Sequence, residues 1–158
     1  MDLKFELIIV SKLVLSFLLG AFIGLDRERH GSAAGIRTYA AVCIGATLFT
    51  AIAHHLPEDD GGGVSRVIAN IITGVGFLGA GIIFRNNNLG TSHGLTTAAT
   101  VWGAAAVGVA VGLNMFVIAL AGSGALYLLL SLHNWKWYRK WKQKMLNLYK
   151  DEEKDQND

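Results

Sequence analysis

Charge is scarce in this 158-residue chain: Asp, Glu, Lys and Arg make up 16% of it, where a soluble domain carries about 25%. The charges it has are clustered, most of them in Asp26–Arg37, Glu58–Arg66 and the last 25 residues. The apolar stretches between these clusters are longer than a soluble core absorbs. Proline occurs once and cysteine once. The lone Cys43 excludes an intrachain disulfide and indicates no redox compartment; inside an apolar run it reads as a small buried hydrophobe. No acid–His–nucleophile order stands out among the scattered Ser and His residues, so a hydrolytic triad has no support. Nor is there a basic, aromatic nucleic-acid surface outside the tail, which a membrane explains better.

Apolar residues and glycine dominate what is there. Hydrophobic residues are 52% of the chain, glycine occurs 19 times, and mean hydropathy is +0.39. Many glycines with almost no proline suit close-packed membrane helices better than a loop-rich soluble fold. Crossing a bilayer core of about 30 Å takes roughly 20 mainly apolar residues. Five segments qualify: Leu7–Leu25, Thr38–Leu56, Val67–Phe84, Leu95–Val111 and Leu113–Leu132. The expected fold is therefore an all-α membrane bundle of about five helices. A four-helix alternative merges Leu95–Leu132 into one hairpin or re-entrant element. Lys12 interrupts the first span near its end and is expected to snorkel outward. That run ends in Asp26–Arg29 rather than in small residues, which argues against a cleavable signal.

Orientation follows from Lys and Arg in the short loops. Arg27, Arg29 and Arg37 mark the first loop, Asp26–Arg37, and Arg85 and His93 mark the third. The second carries Glu58, Asp59 and Asp60 against Arg66. The odd loops and the Lys-rich tail are thus expected in the cytoplasm and the N-terminus outside. Residues 1–132 form the expected membrane domain and 133–158 a tail. In the tail Trp137 and Trp141 share a helical face with Met145 and Leu148, while Lys140 and Lys144 lie largely opposite. Two readings stand: a basic amphipathic helix on the inner leaflet, or an aromatic belt anchoring the fifth span. Residues Asp151–Asp158 are acidic and polar, an expected disordered end.

The third span contains Gly74, Gly76, Gly79 and Gly81 in eight residues. This includes a GxGxxG, but a dinucleotide site needs a preceding strand and an acid about 20 residues on, and position 99 is Ala. Close helix packing is the favoured reading; a bent helix exposing carbonyls to an ion is the alternative. Gly20 and Gly24 form a GxxxG, and Ala104, Gly108 and Gly112 repeat every four residues; each is a helix-contact surface, within the bundle or between protomers. Asn70, one turn after Arg66, reads as an interhelical hydrogen-bonding residue.

Polar residues converge at the cytoplasmic end. Asp26, Arg27 and Glu28 close span one, Arg37 and Thr38 open span two, and Thr96 and Thr97 open span four. A vestibule for an ion or a partner is one reading; helix capping by the threonines is the other. Asp26 and Glu28 are two apart and do not share a helical face, so a joint Mg²⁺ site requires the helix to end there. His54, His55 and Glu58 make a weak metal signal in the outer loop.

Four stretches carry a resemblance: Gly20-Ala21-Phe22-Ile23-Gly24-Leu25-Asp26-Arg27-Glu28, Ala34-Gly35-Ile36-Arg37-Thr38, Gly74 through Gly81, and Gly94-Leu95-Thr96-Thr97-Ala98-Ala99. In this order and spacing the chain resembles the MgtC/SapB family over about residues 10–130. It departs from the family pattern at Asp26, where Glu is usual, at Asn70, where Gln is usual, and at His93, where a basic residue is usual. The resemblance implies a bacterial inner-membrane protein tied to magnesium homeostasis, growth in low magnesium and survival inside host cells. The density of small-residue faces and the scarcity of intramembrane charge point to a non-enzymatic regulator acting by helix contacts with itself, as a homodimer, or with another membrane complex; the resemblance implies the F-type ATP synthase as one such complex. A small Mg²⁺ transporter or channel is the competing expectation. Many relatives also carry a soluble C-terminal domain, whose functions do not transfer to this chain.

Overall fold

The structure is a computed structural model that describes residues 3–56, 62–86, 91–132, 135, 140–141 and 144–145. The chain forms two compact units, residues 1–127 and 128–158. Five helices account for most of it: α1 (Leu3–Arg29), α2 (Ile36–His55), α3 (Gly63–Ile82), α4 (Leu95–Gly112) and α5 (Phe116–Ser131). The first four are each long and apolar enough to cross a membrane. α5 is apolar but has 16 residues, a length of about 24 Å. α4 and α5 are separate helices joined through Asn114, whose φ is 63°.

Where helices end differs from the hydropathy reading. α1 continues through Asp26–Arg29, which the apolar run had assigned to a loop. A helix ends where backbone bonding ends, not where hydrophobicity does, and Asp, Arg and Glu are all tolerated in helices. The stop comes at Gly31, in the left-handed region at φ 63°, with Ser32 N–H donating to the Arg27 carbonyl at 3.0 Å, a glycine C-terminal cap. α3 and α4 are connected by a small antiparallel hairpin, β1 (Phe84–Asn86) with β2 (Thr91–His93), Phe84 opposite His93.

The core of the first unit is the trio α1, α2 and α4. A Cβ on Gly20 would stand 2.7 Å from the Ala40 Cα, and one on Gly24 2.6 Å from the Ile36 Cα. Further along the same face of α2, a Cβ on Gly108 would collide with the Cys43 carbonyl and one on Gly112 would lie 2.6 Å from the Thr50 Cβ. Both α1 and α4 therefore approach the α2 backbone closely, as small residues permit. The repeat of Ala104, Gly108 and Gly112 is thus a contact within the bundle. α5 joins through Leu126 against Gly103 and through Tyr127 stacked on Phe22 at 4.4 Å. α3 is the outlier: Val75 and Gly79 are its buried residues.

Most of the tail lies outside the described residues, including Trp137. Lys140, Trp141, Lys144 and Met145 are described, helical and exposed.

Candidate functional site

A buried polar seam runs along the α1–α2–α4 contact. From α2 it takes Tyr39, Cys43, Thr47 and Thr50, spaced so that all face one side of a helix. Tyr39 and Thr100 hydroxyls are 2.5 Å apart. Cys43 Sγ donates to the Ala104 carbonyl at 3.1 Å. Thr47 Oγ1 lies 2.7 Å from Ser16 Oγ and 2.8 Å from the Gly108 carbonyl. Lys12 Nζ closes the seam on the Gly112 carbonyl at 2.9 Å. Lys12 is buried, so it does not snorkel outward as its position in the apolar run suggested. The C-terminal end of α4 carries negative partial charge and unpaired carbonyls, and an inward-turned ammonium finds its acceptor there.

At the opposite end of the seam lie the residues of the expected vestibule, of which Arg27 and Thr97 form one contact and Glu28, Arg37 and Thr38 line one pocket. Arg27 Nη2 donates to Thr97 Oγ1 at 2.7 Å. Asp26 is buried, with His30 Nδ1 at 3.5 Å from its carboxylate. Glu28 Oε2 accepts from the Ile36 N–H at 2.9 Å, placing a carboxylate at the positive end of α2. A Cβ at Gly35 would displace that carboxylate, so glycine there leaves room for the Glu28–Ile36 bond. Glu28, Ser32, Arg37 and Thr38 line a polar pocket of about 210 Å³. Arg37 and Thr96 are exposed.

Two expectations change here. The threonines of α4 do not cap it: the N-cap is Gly94, at φ 88° and without a side-chain cap. Its Cβ would meet the Ile82 carbonyl, so only glycine fits this turn. Thr97 instead receives the Arg27 guanidinium. And because α1 stays helical through Arg29, Asp26 and Glu28 diverge, one buried and one exposed. No group of three or more metal-ligating side chains converges among the described residues. His55 stacks on Phe5 at 3.5 Å, and Glu58 lies outside the described residues.

The glycines of α3 behave differently from those of α1 and α4. A Cβ on Gly79 would make ordinary contact with Ala98 at 3.7 Å, while Gly74, Gly76 and Gly81 have nothing within 4 Å. Asn70 is exposed and lines a groove between α2 and α3. Ala69, Thr73, Gly76 and Ala80 are exposed too; their spacing puts them on one outward face.

The sequence reading missed the seam. Its signal was present in the period of Tyr39, Cys43, Thr47 and Thr50, hydroxyl or thiol groups on one face of an apolar span.

The MgtC family model matches residues 13–136. Protein SrpB of Synechococcus elongatus is 36% identical over 135 residues, covering 79% of this chain and 73% of SrpB. The putative magnesium transporter YhiD of Escherichia coli K12 is 37% identical over 121 residues, 72% of this chain and 55% of YhiD. Protein MgtC of Salmonella typhimurium LT2 is 41% identical over 114 residues, 72% of this chain and 47% of MgtC. The matched region therefore spans about half of YhiD and of MgtC. No solved structure matches the chain.

Proposed function

Because this chain belongs to the MgtC family, we propose that it is a magnesium-related, multi-pass protein of the bacterial inner membrane that regulates a membrane partner through helix contacts rather than by catalysis. The observation that carries this reading is the contrast between two sets of small residues. Gly20, Gly24, Gly108 and Gly112 are consumed in packing α1, α2 and α4. Ala69, Thr73, Gly76 and Ala80 on α3 face outward. Small residues in a membrane helix lower the distance at which another helix docks, and α3 has spare capacity for it. The occupant is a second copy of this chain or another membrane complex, the F-type ATP synthase among them. In this reading Arg27–Thr97 and Glu28–Ile36 hold the cytoplasmic end shut, and the N-terminus lies outside.

A photocrosslinker at position 76 or 80 tests it in native membranes. Adducts to a membrane polypeptide, well above those from position 117 on α5, are expected, with loss of low-magnesium growth in Gly76→Leu. Equal yields at both positions and normal growth would sink the proposal.

The similarity to YhiD, named a putative magnesium transporter, favours a second reading, ion transport. Mg²⁺ flux in proteoliposomes that falls in Asp26→Asn would replace the first reading with this one.

A further inference from the structure

A groove of about 630 Å³ runs between α2 and α3, walled by Val42, Gly45 and Phe49 on one side and Ile71, Gly74 and Leu78 on the other. Gly45 and Gly74 open it, since neither has an atom within 4 Å of where a Cβ would stand. The groove lies within two helices that are long and apolar enough to span a membrane, so the medium bathing it is hydrocarbon. One polar side chain, Asn70, belongs to its wall. One turn nearer the start of α3, on the adjoining side of the helix, stands the exposed Arg66.

We propose that this groove is a phospholipid site, taking one acyl chain between α2 and α3 and the lipid phosphate on Arg66. Two properties decide the occupant. The first is length. From Val67 to Leu78 α3 rises about 16 Å, which matches one leaflet of a hydrocarbon core about 30 Å thick. The second is charge. An arginine fork is built for phosphate oxygens, and Arg66 sits in the first turn of α3, where the helix N-terminus adds to the attraction. Asn70, between the guanidinium and the apolar walls, offers its amide to the phosphate or ester oxygens. The site is separate from the outward face at Gly76 and Ala80, so it stands or falls independently of the regulatory reading.

The full chain in vesicles containing a phospholipid with a diazirine in its acyl chain tests this, with adducts mapped by mass spectrometry. Labelling of residues 41–49 and 67–78 is expected to exceed that of the lipid-facing Val117–Leu120 segment several-fold. Gly74→Leu fills the groove and should cut groove labelling several-fold, and Arg66→Gln should lower it, both with α5 labelling unchanged. Open space around Gly74 means its variant should fold, and the α5 signal reports that it has. Groove labelling no higher than that of α5, or unaffected by Gly74→Leu, overturns the proposal. Disulfide trapping between copies through Phe49→Cys and Leu78→Cys in a Cys43→Ala background, with the groove unlabelled, overturns it in favour of a second copy.

Discussion

Lys12 of α1 and Gly112 of α4 are joined across the bundle by a 2.9 Å hydrogen bond from ammonium to carbonyl. The two helices run antiparallel, since Arg27, at the other end of α1, meets Thr97 near the start of α4. The pair fixes the register of one helix on the other at both ends. Substituting Lys12 by Met removes the charge while keeping most of the volume, and such exchanges of buried charge are often close to neutral. Lys12→Glu places a carboxylate beside the negative end of α4. We expect Lys12→Met to change unfolding stability in detergent by no more than about 1–2 kcal/mol, and Lys12→Glu to cost about 3–5 kcal/mol. Equal effects from both would contradict the inward orientation of Lys12.

Thr47 and Thr50 lie one turn apart in the same seam, and both are fully buried. Thr47 reaches both Ser16 and the Gly108 carbonyl, whereas the Thr50 hydroxyl has no partner among the described residues. Valine keeps the shape of threonine and removes the hydroxyl. Thr47→Val should lose about 1–3 kcal/mol, because it strands the groups it served. Thr50→Val should be neutral or stabilising by about 1 kcal/mol, since a buried unpaired hydroxyl is costly. Thermal unfolding of the two variants side by side reads the difference, and a larger loss in Thr50→Val would refute it.

The glycines divide by what surrounds them. Gly20→Ala and Gly108→Ala push a methyl into neighbouring backbone, and overpacking of this kind costs about 1–3 kcal/mol. Gly76→Ala and Gly81→Ala meet open space and remove a poor helix former, a gain of up to about 1 kcal/mol. The four variants should therefore fall into two groups of opposite sign in isolated protein. If all four destabilise alike, α3 is packed against something within the chain.

Orientation is testable with single cysteines in a Cys43→Ala background. Cysteine at Ser32 or His93 should react with a membrane-impermeant maleimide only after permeabilisation, and cysteine at Gly62 in intact cells. The reverse pattern would turn the proposed topology over.

Hydropathy made much of the fold legible. Five apolar segments, their order and their alternation of direction follow from the cost of leaving backbone groups unpaired in hydrocarbon. The helix ends were less legible. Asp26–Arg29 read as loop because polarity was taken for an ending, when the stop is set by the left-handed Gly31 two residues after Arg29. The pairing at that end was not legible: Arg27 with Thr97 spans 70 positions, and no local pattern specifies such a partner.

What the chain determines unaided is which segments enter the membrane and which glycines occur at helix-contact spacing, because both follow from local composition and period. Only the tertiary structure decides which glycines are used. Gly20 and Gly76 look alike in sequence, and one touches the backbone of α2 while the other touches nothing. Likewise the seam exists only once one face of α2 packs on both α1 and α4: a hydroxyl every turn is a pattern, but its acceptor is supplied by another helix.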